Sequence, residues 1–241
     1  MSKHRANSGS ALRFLDWTGL PRSRFIESLA ALLPDDVRVT ADDHWMPCGH
    51  AAPKEAQLDK VGDEFLAPEI RNELAGWWLV DRRRGTPHWD FVSTCTLGGQ
   101  RGLVLMEGKA RTGEVNSGKA SRSREPNASQ IRRAVSHASR ELNKSLPGFA
   151  LSDRHHFQLS NRFAWAWKLA DLKVPTVLIY LGWLNATEMP KKPFTSAANW
   201  EQCVRTYATG VVPGGVWEKR LDINGTPIYP LIRSLDLRFV T

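Results

Sequence analysis

The sequence predicts an α/β protein in which a central mixed β-sheet is flanked by helices. Three features support this fold class. Residues 88–110 contain two runs rich in β-formers around a glycine turn, residues 175–183 are almost entirely apolar, and residues 127–144 place apolar side chains at helical spacing. An apolar run of that length is typical of a strand buried on both faces of a sheet.

The first sixty residues are expected to form a helical and loop extension. Residues 1–10 are polar and are expected to be unstructured, whereas residues 12–33 show helical spacing broken near Gly19 and Pro21. Residues 37–60 lack periodicity and are expected to be mostly loop, with a short strand at 37–40. The extension at 1–60 would therefore precede an α/β domain at 61–241.

The core of that second domain is expected at about 61–184. A helix is predicted at 63–74 and a short strand at 77–80, followed by a hairpin whose strands lie at 88–97 and 102–110. After a Ser/Gly/Arg-rich loop at 112–126, the pattern predicts helices at 127–144 and 152–169 and a buried strand at 175–183. Residues 185–241 are expected to form a β-hairpin extension around Asn224-Gly225.

The bulk properties favour a non-secreted, cytoplasmic protein with no membrane segment. No apolar run reaches the roughly 18 residues that a membrane-spanning helix needs, and the polar start is unlike a signal peptide. The three cysteines are widely separated and odd in number, which predicts no disulfide framework and suits a reducing compartment.

Positive charge is concentrated in one part of the chain. The formal net charge is +8, and residues 101–144 contribute +6 of it through ten Lys or Arg against four Glu. Such a segment is either a solvated basic face or a surface that neutralises phosphates.

The predicted hairpin brings together two carboxylates and an ammonium. Strand residues two apart share a face, so Glu107 and Lys109 point the same way. A turn centred on Gly99 and Gln100 would place Asp90 opposite Lys109, whereas a turn centred on Gly98 and Gly99 would place it opposite Glu107. In either register the three groups cluster on one face.

These charges lie among apolar neighbours, where burial without partners is costly. A bound Mg²⁺ would offset that cost, because it prefers hard oxygen ligands and often takes one or two carboxylates together with phosphate and water. We expect Asp90, Glu107 and the backbone carbonyl of Gly108 as its ligands. Lys109 would then orient the attacking water or deprotonate it.

This arrangement resembles the PD-(D/E)xK nuclease superfamily, which includes many restriction endonucleases, Holliday-junction resolvases and phage-lambda-type exonucleases. The resemblance rests on Asp90, sixteen intervening residues and Glu107-Gly108-Lys109, and it covers about residues 60–145. The family usually has a proline directly before the aspartate, where this chain has Trp89. The resemblance implies a restriction-endonuclease-like core with the element order αβββαβ.

The resemblance also implies further site residues. Many members carry a glutamate on the helix before the hairpin; Glu64, Glu69 and Glu73 are candidates, and Glu73 lies nearest the apolar stripe. Some members use a glutamine on the following helix, where this chain has Gln130. Basic side chains nearby are expected to contact nucleic-acid phosphates; they are Arg111, Lys119, Arg122, Arg124, Arg132 and Arg133.

The expected function is hydrolysis of phosphodiester bonds in DNA by a Mg²⁺-dependent nuclease, with Mn²⁺ as a substitute. The resemblance implies products with a 5′-phosphate and a 3′-hydroxyl. Cutting of both strands would favour a homodimer. The alternative is a non-catalytic nucleic-acid-binding module on the same fold, for which the basic segment alone would suffice.

Overall fold

The computed structural model describes residues 9–115, 120–188 and 192–239. The helices of the described chain are numbered in order: α1 (Gly9–Thr18), α2 (Arg22–Ala30), α3 (Pro68–Trp78), α4 (Thr112–Val115), α5 (Asn127–Ser145), α6 (Phe157–Asp171) and α7 (Ala197–Ala208). The strands are β1 (Val37–Arg38), β2 (Trp45–Met46), β3 (Phe91–Leu97), β4 (Gln100–Lys109), β5 (Thr176–Trp183), β6 (Leu221–Ile223) and β7 (Thr226–Leu235).

All seven strands join one mixed sheet, which confirms the predicted α/β class. The strand order is β1-β3-β4-β5-β7-β6, with β2 also pairing with β3. The β3–β4 hairpin is antiparallel, whereas β5 runs parallel to both β4 and β7. Strand β5 therefore lies at the centre of the sheet, and each of its residues is buried, as its apolar sequence predicts.

The sheet separates two hydrophobic cores. Helices α3, α5, α6 and α7 cover one face, where α6 is buried almost all round. Helices α1 and α2 cover the other face and pack Phe14, Trp17 and Phe25 against Phe91 of β3. Residues 9–60, expected as a separate extension, thus contribute two helices to one core and two strands to the sheet.

The turn of the β3–β4 hairpin determines which of the two predicted registers forms. Gly98 and Gly99 have φ of 57° and 82°, and the strand ends Leu97 and Gln100 pair directly. Positive φ at both central residues is the requirement of a tight two-residue hairpin turn, which glycine meets without strain. Phe91 consequently pairs with Met106, so the next position along places Asp90 opposite Glu107.

Several predicted elements are confirmed with small shifts at their ends. The two N-terminal helices break at residues 19–21. The apolar stripe predicted for the helix at 127–144 is buried in α5; its residues are Ile131, Ala134, Val135, Ala138 and Leu142. The Asn224-Gly225 hairpin also forms, and its second strand joins the central sheet beside β5. The C-terminal segment therefore completes the sheet, but it is more than the expected hairpin extension, because it also forms α7.

The helix before the hairpin is displaced relative to the sequence prediction of residues 63–74. Helix α3 begins at Pro68, because proline fits the first helical position and disfavours helical backbone in the residue before it. The helix continues to Trp78, so the strand predicted at 77–80 does not form. Tertiary packing of Leu74 and Trp78 into the core outweighs the β-propensity of that segment.

The element order expected from the family resemblance is not confirmed. Between α3 and α5 the described residues contain two strands, β3 and β4, rather than three. The strands that pair with the outer edge of β3 are β1 and β2, which come before α3 in the sequence. Among the described residues, no helix is both long and apolar enough to cross a lipid bilayer.

Gly108 connects the N-terminal helices to the end of β4. A Cβ atom at this position would lie 2.4 Å from Cε2 of Phe14 and 3.1 Å from Nε1 of Trp183. Phe14 is itself held edge-on against Trp183, with ring centroids 5.0 Å apart. Only glycine therefore allows α1 to pack directly on the backbone between Glu107 and Lys109.

Replacement of this glycine should destabilise the fold. We expect Gly108→Ala to lower the free energy of unfolding by about 1 to 3 kcal/mol, because the added methyl group overpacks a rigid aromatic cluster. Chemical denaturation measures this change. Gly214→Ala is the matched control, since a Cβ there meets no atom within 4 Å; equal loss in both variants would contradict the packing argument.

Candidate active site

Glu107 is the most deeply buried acidic side chain of the described site and is surrounded by donors. Its exposed fraction is 1%. Oε1 accepts hydrogen bonds from Lys109 Nζ and from Gln158 Nε2, the latter at 2.7 Å. Oε2 accepts two bonds from Arg162, from Nε at 2.8 Å and from Nη2 at 2.6 Å. These four bonds fill the roughly four acceptor positions of a carboxylate.

Arg162 reaches Glu107 from the middle of α6 and is held on all sides. Its Nη2 also donates to the backbone carbonyl of His88 at 2.6 Å. The guanidinium lies 4.2 Å from the ring centroid of Trp89, a cation–π geometry. Both donors converge on one oxygen, Oε2, so Arg162 holds the charge and position of that oxygen through two charge-assisted hydrogen bonds.

Asp90 lies opposite Glu107 across the β3–β4 hairpin but has fewer hydrogen-bond partners. Its Oδ2 accepts a hydrogen bond from the backbone N–H of Gly108 at 2.8 Å. Within the part of the chain that the structure describes, Oδ1 has no hydrogen-bond donor. Burial and the neighbouring charge of Glu107 raise the pKa of Asp90 to about 7, although Lys109 and Arg162 oppose that rise.

The charges of Glu107 and Lys109 are mutually stabilised. Burial alone would raise the pKa of Glu107, but Lys109 and Arg162 outweigh it and the pKa falls below its ordinary value. Burial lowers the pKa of Lys109, but Glu107 and Asp90 outweigh it and the pKa rises. Lys109 is therefore a cation in this state, which favours its predicted role in orienting groups over a role as a base.

The three predicted residues line one cavity of about 520 Å³ at the carboxyl end of β4. The structure thus brings together Asp90, Glu107 and Lys109, as the sequence predicts. The cavity wall also contains polar residues that the sequence interpretation did not select. They are Glu55, His88, Glu114, Gln158 and Arg162, together with Ser10 at the start of α1.

Two residues implied by the family resemblance lie elsewhere. Glu73 is exposed on α3 and does not line the cavity, and Glu64 and Glu69 are exposed as well. Gln130 donates from Nε2 to the carbonyl of Trp77 at 2.9 Å, so it joins α5 to the end of α3. The glutamine that contacts Glu107 is Gln158, on α6.

The predicted phosphate-binding residues fall on different surfaces. Arg111 lines the cavity, and Arg122 and Arg124 line a groove that adjoins it. Arg132 and Arg133 lie on the outer side of α5, where Arg132 pairs with Asp153 at 3.1 Å. Lys119 lies outside the described residues.

Comparison with protein-family models, curated proteins and solved structures finds no match for this chain. The family resemblance therefore rests on the aspartate, glutamate and lysine of one hairpin. What those residues can do is decided by their geometry.

The oxygen atoms of the site fit a divalent cation if one hydrogen bond to Glu107 is replaced by a bond to the metal. Asp90 Oδ1 is open, and an added positive charge would offset both the burial and the repulsion from Glu107 that raise the pKa of Asp90. Glu107 has no open acceptor position, so Lys109 or Gln158 would have to release Oε1. The described residues contain no cluster of three or more His, Cys, Asp or Glu able to hold a metal. The carbonyl of Gly108 is the third oxygen expected from the sequence.

The raised pKa of Asp90 predicts a pH dependence of stability in metal-free protein. A carboxyl whose pKa is raised by folding stabilises the native state fully below its unfolded pKa of about 4, and this contribution disappears as the pH rises through about 7. Asp90→Asn removes the ionisation. The difference between the free energies of unfolding, variant minus unmodified protein, should therefore become more positive by roughly 1 to 3 kcal/mol from about pH 4 to pH 8.

Denaturation in EDTA across this pH range measures the effect. Asp35→Asn is the matched control, because Asp35 is an exposed carboxylate without a hydrogen-bond partner among the described residues. A difference that stays constant with pH for Asp90→Asn would show that the carboxyl of Asp90 ionises normally in the folded protein.

Proposed function

We propose that this protein is a metal-dependent nuclease that hydrolyses phosphodiester bonds in DNA. The observation that carries the proposal is the shared cavity of Asp90, Glu107 and Lys109 at the end of the β3–β4 hairpin. A buried carboxylate with two cationic partners, beside a second carboxylate whose pKa is raised to about 7, is a combination typical of functional sites. A restriction-endonuclease-like ancestry of the hairpin and its flanking helices is part of the proposal.

Asp90, Glu107 and the carbonyl of Gly108 would hold Mg²⁺, with Mn²⁺ as a substitute. When bound, such an ion lowers the pKa of its water ligand and offsets negative charge on the phosphodiester. Arg162 keeps Glu107 ionised and fixes its direction through two hydrogen bonds. Lys109, once released from Glu107, presents its ammonium to the phosphate and to the charge that develops there.

Cleavage with the products implied by the family resemblance would leave a 5′-phosphate and a 3′-hydroxyl. Cutting of both strands of a duplex would require two such sites, and a two-fold symmetric homodimer is the simplest way to supply them.

The proposal is tested directly by asking whether DNA cleavage requires a divalent metal and Lys109. We expect the purified protein to cut plasmid, linear or single-stranded DNA with Mg²⁺ or Mn²⁺, and to lose activity in EDTA. Lys109→Ala should lower the cleavage rate by at least about 100-fold, the scale expected when one transition-state donor is removed. Agarose and denaturing gels measure both effects.

Lys173→Ala is the matched control for this test. Lys173 is an exposed lysine that donates to the carbonyl of Asn224 and precedes β5, at the opposite end of the β4–β5 pair from Lys109. Its removal should leave cleavage unchanged. Equal activity in Lys109→Ala and Lys173→Ala would place the chemistry elsewhere.

The filled acceptor positions of Glu107 favour the alternative, a non-catalytic nucleic-acid-binding module in which Lys109 and Arg162 simply neutralise a buried carboxylate. Metal binding separates the two functions. If Lys109 occupies the place of the cation, Lys109→Met should bind Mn²⁺ more tightly than the unmodified protein by about tenfold, the scale of one hydrogen bond to a charged group, while cleavage is lost.

Isothermal titration calorimetry with Mn²⁺ measures this affinity without relying on activity. Lys173→Met should bind Mn²⁺ as the unmodified protein does. Absence of Mn²⁺ binding in every variant, combined with retained DNA binding, would support the binding module and overturn the nuclease proposal.

A further inference from the structure

A groove leads away from the cavity of Asp90, Glu107 and Lys109. Two adjoining depressions of about 550 and 570 Å³ share Gly85, Arg122, Ser123 and Phe157. The depression of about 550 Å³ is nearer to the cavity and also shares His88, Gln158 and Arg162 with it. The two adjoining depressions are together called the side groove, and this groove meets the cavity at the glutamine and arginine that contact Glu107.

The side groove carries unpaired positive charge. Arg84, Arg122 and Arg124 line it and are exposed, and no carboxylate lies within ion-pair distance of any of them in the described chain. Some other arginines of the described chain are paired with carboxylates, as Arg132 is with Asp153 and Arg71 is with Asp63. Three exposed guanidinium groups without acidic partners favour a polyanion as ligand.

The two described acidic side chains that line the side groove, Asp81 and Glu125, already have other partners. Asp81 pairs with Arg83 at 2.9 Å, and Arg83 lowers the Asp81 pKa to about 2. Glu125 accepts a hydrogen bond from the hydroxyl of Ser129 at 2.8 Å. Arg84 adds only a smaller Coulombic attraction to Asp81 and forms no ion pair with it, so the groove retains an excess of positive charge beside the site.

An aromatic side chain lies between the arginines and the site. Phe157 is partly exposed, lines both depressions, and is the first residue of α6. The next residue, Gln158, donates to Glu107. On its inner side Phe157 packs against the buried Trp78, with centroids 6.4 Å apart and an interplanar angle of 19°. The ring is therefore packed against Trp78 on its inner side, and it lies one residue before the glutamine that contacts Glu107.

We propose that the side groove binds a single-stranded segment of the DNA substrate and leads it to the cavity. Arg84, Arg122 and Arg124 contact successive phosphates, and Phe157 stacks against an unpaired base. Base–aromatic stacking needs an exposed base face, which duplex DNA conceals within its own stack, whereas phosphates are available in both forms. This inference rests on the proposed function for its substrate, and its test does not depend on cleavage.

Binding measured without metal tests the inference. We expect fluorescence anisotropy in EDTA to show tighter binding of a labelled single-stranded oligonucleotide of about 12 nucleotides than of the same sequence as duplex. Phe157→Leu, which keeps an apolar contact with Trp78 but removes the ring, should weaken single-strand binding about 5- to 100-fold and affect duplex binding little. An unchanged thermal unfolding midpoint confirms that this variant is folded.

The arginines are tested by the salt dependence of binding. The double variant Arg122→Ala and Arg124→Ala should reduce the slope of log affinity against log salt concentration by about 1.4, or 0.7 for each single-strand phosphate that is no longer neutralised. Arg24→Ala is the matched control, because Arg24 is exposed on α2 over the opposite face of the sheet. Its slope should equal that of the unmodified protein.

The outcomes distinguish this inference from the proposed function. Preferential binding of duplex, or identical single-strand affinity for Phe157→Leu and the unmodified protein, would overturn the side groove as a single-strand path even if cleavage is observed. The expected binding without any metal-dependent cleavage would support the groove while refuting the nuclease. An unchanged salt slope in the double arginine variant would show that the phosphates are bound elsewhere.

Discussion

The buried pair of Glu107 and Arg162 is the interaction on which the rest of the site depends. Glu107 lies near the carboxyl end of β4 with 1% side-chain exposure, and Arg162 comes from α6 with 4% side-chain exposure. Removing one partner from such a pair leaves an uncompensated buried charge and typically costs about 3–5 kcal/mol. An apolar pair could fill this space with equal or greater stability, so stability alone does not explain why the fold keeps two charges here.

The same pair makes the two carboxylates of the site different from each other. Because Arg162 and Lys109 neutralise Glu107, that carboxylate stays ionised, whereas Asp90 receives a single backbone N–H and has a pKa of about 7. Two neighbouring titratable groups with pKa values moved apart are a common basis for dividing roles within a site. With all four groups ionised the site is formally neutral, so an added divalent cation would give the net positive charge that a phosphodiester requires.

The hairpin trio could be predicted from sequence because it is local. The glycine turn, alternation along two strands and a spacing of two residues suffice to place Asp90 opposite Glu107 and to direct Lys109 to the same face. Arg162 and Gln158 could not be found in this way, since they lie more than fifty residues away on a helix whose neighbours are apolar. The apolar stripe that points to Glu73 assumes a helix over 63–74, whereas α3 begins only at Pro68, and Gln130 is a candidate only through its place in the chain order. Only the packing of α6 against β4 determines which glutamine reaches the site.

The basic segment shows the same limit of sequence information. Counting charges over residues 101–144 treats every arginine alike, but the fold separates those that hold the protein together from those that face solvent without a partner. Arg132 anchors α5 to Asp153, while Arg122 and Arg124 extend into a groove that meets the site at Gln158 and Arg162. The residues that bond Glu107 therefore also form the wall between the cavity and the groove. A DNA strand bound in that groove would lie directly against the residues that hold Glu107. The same side chains of α6, Gln158 and Arg162, would therefore both contact the DNA and fix the position of Glu107.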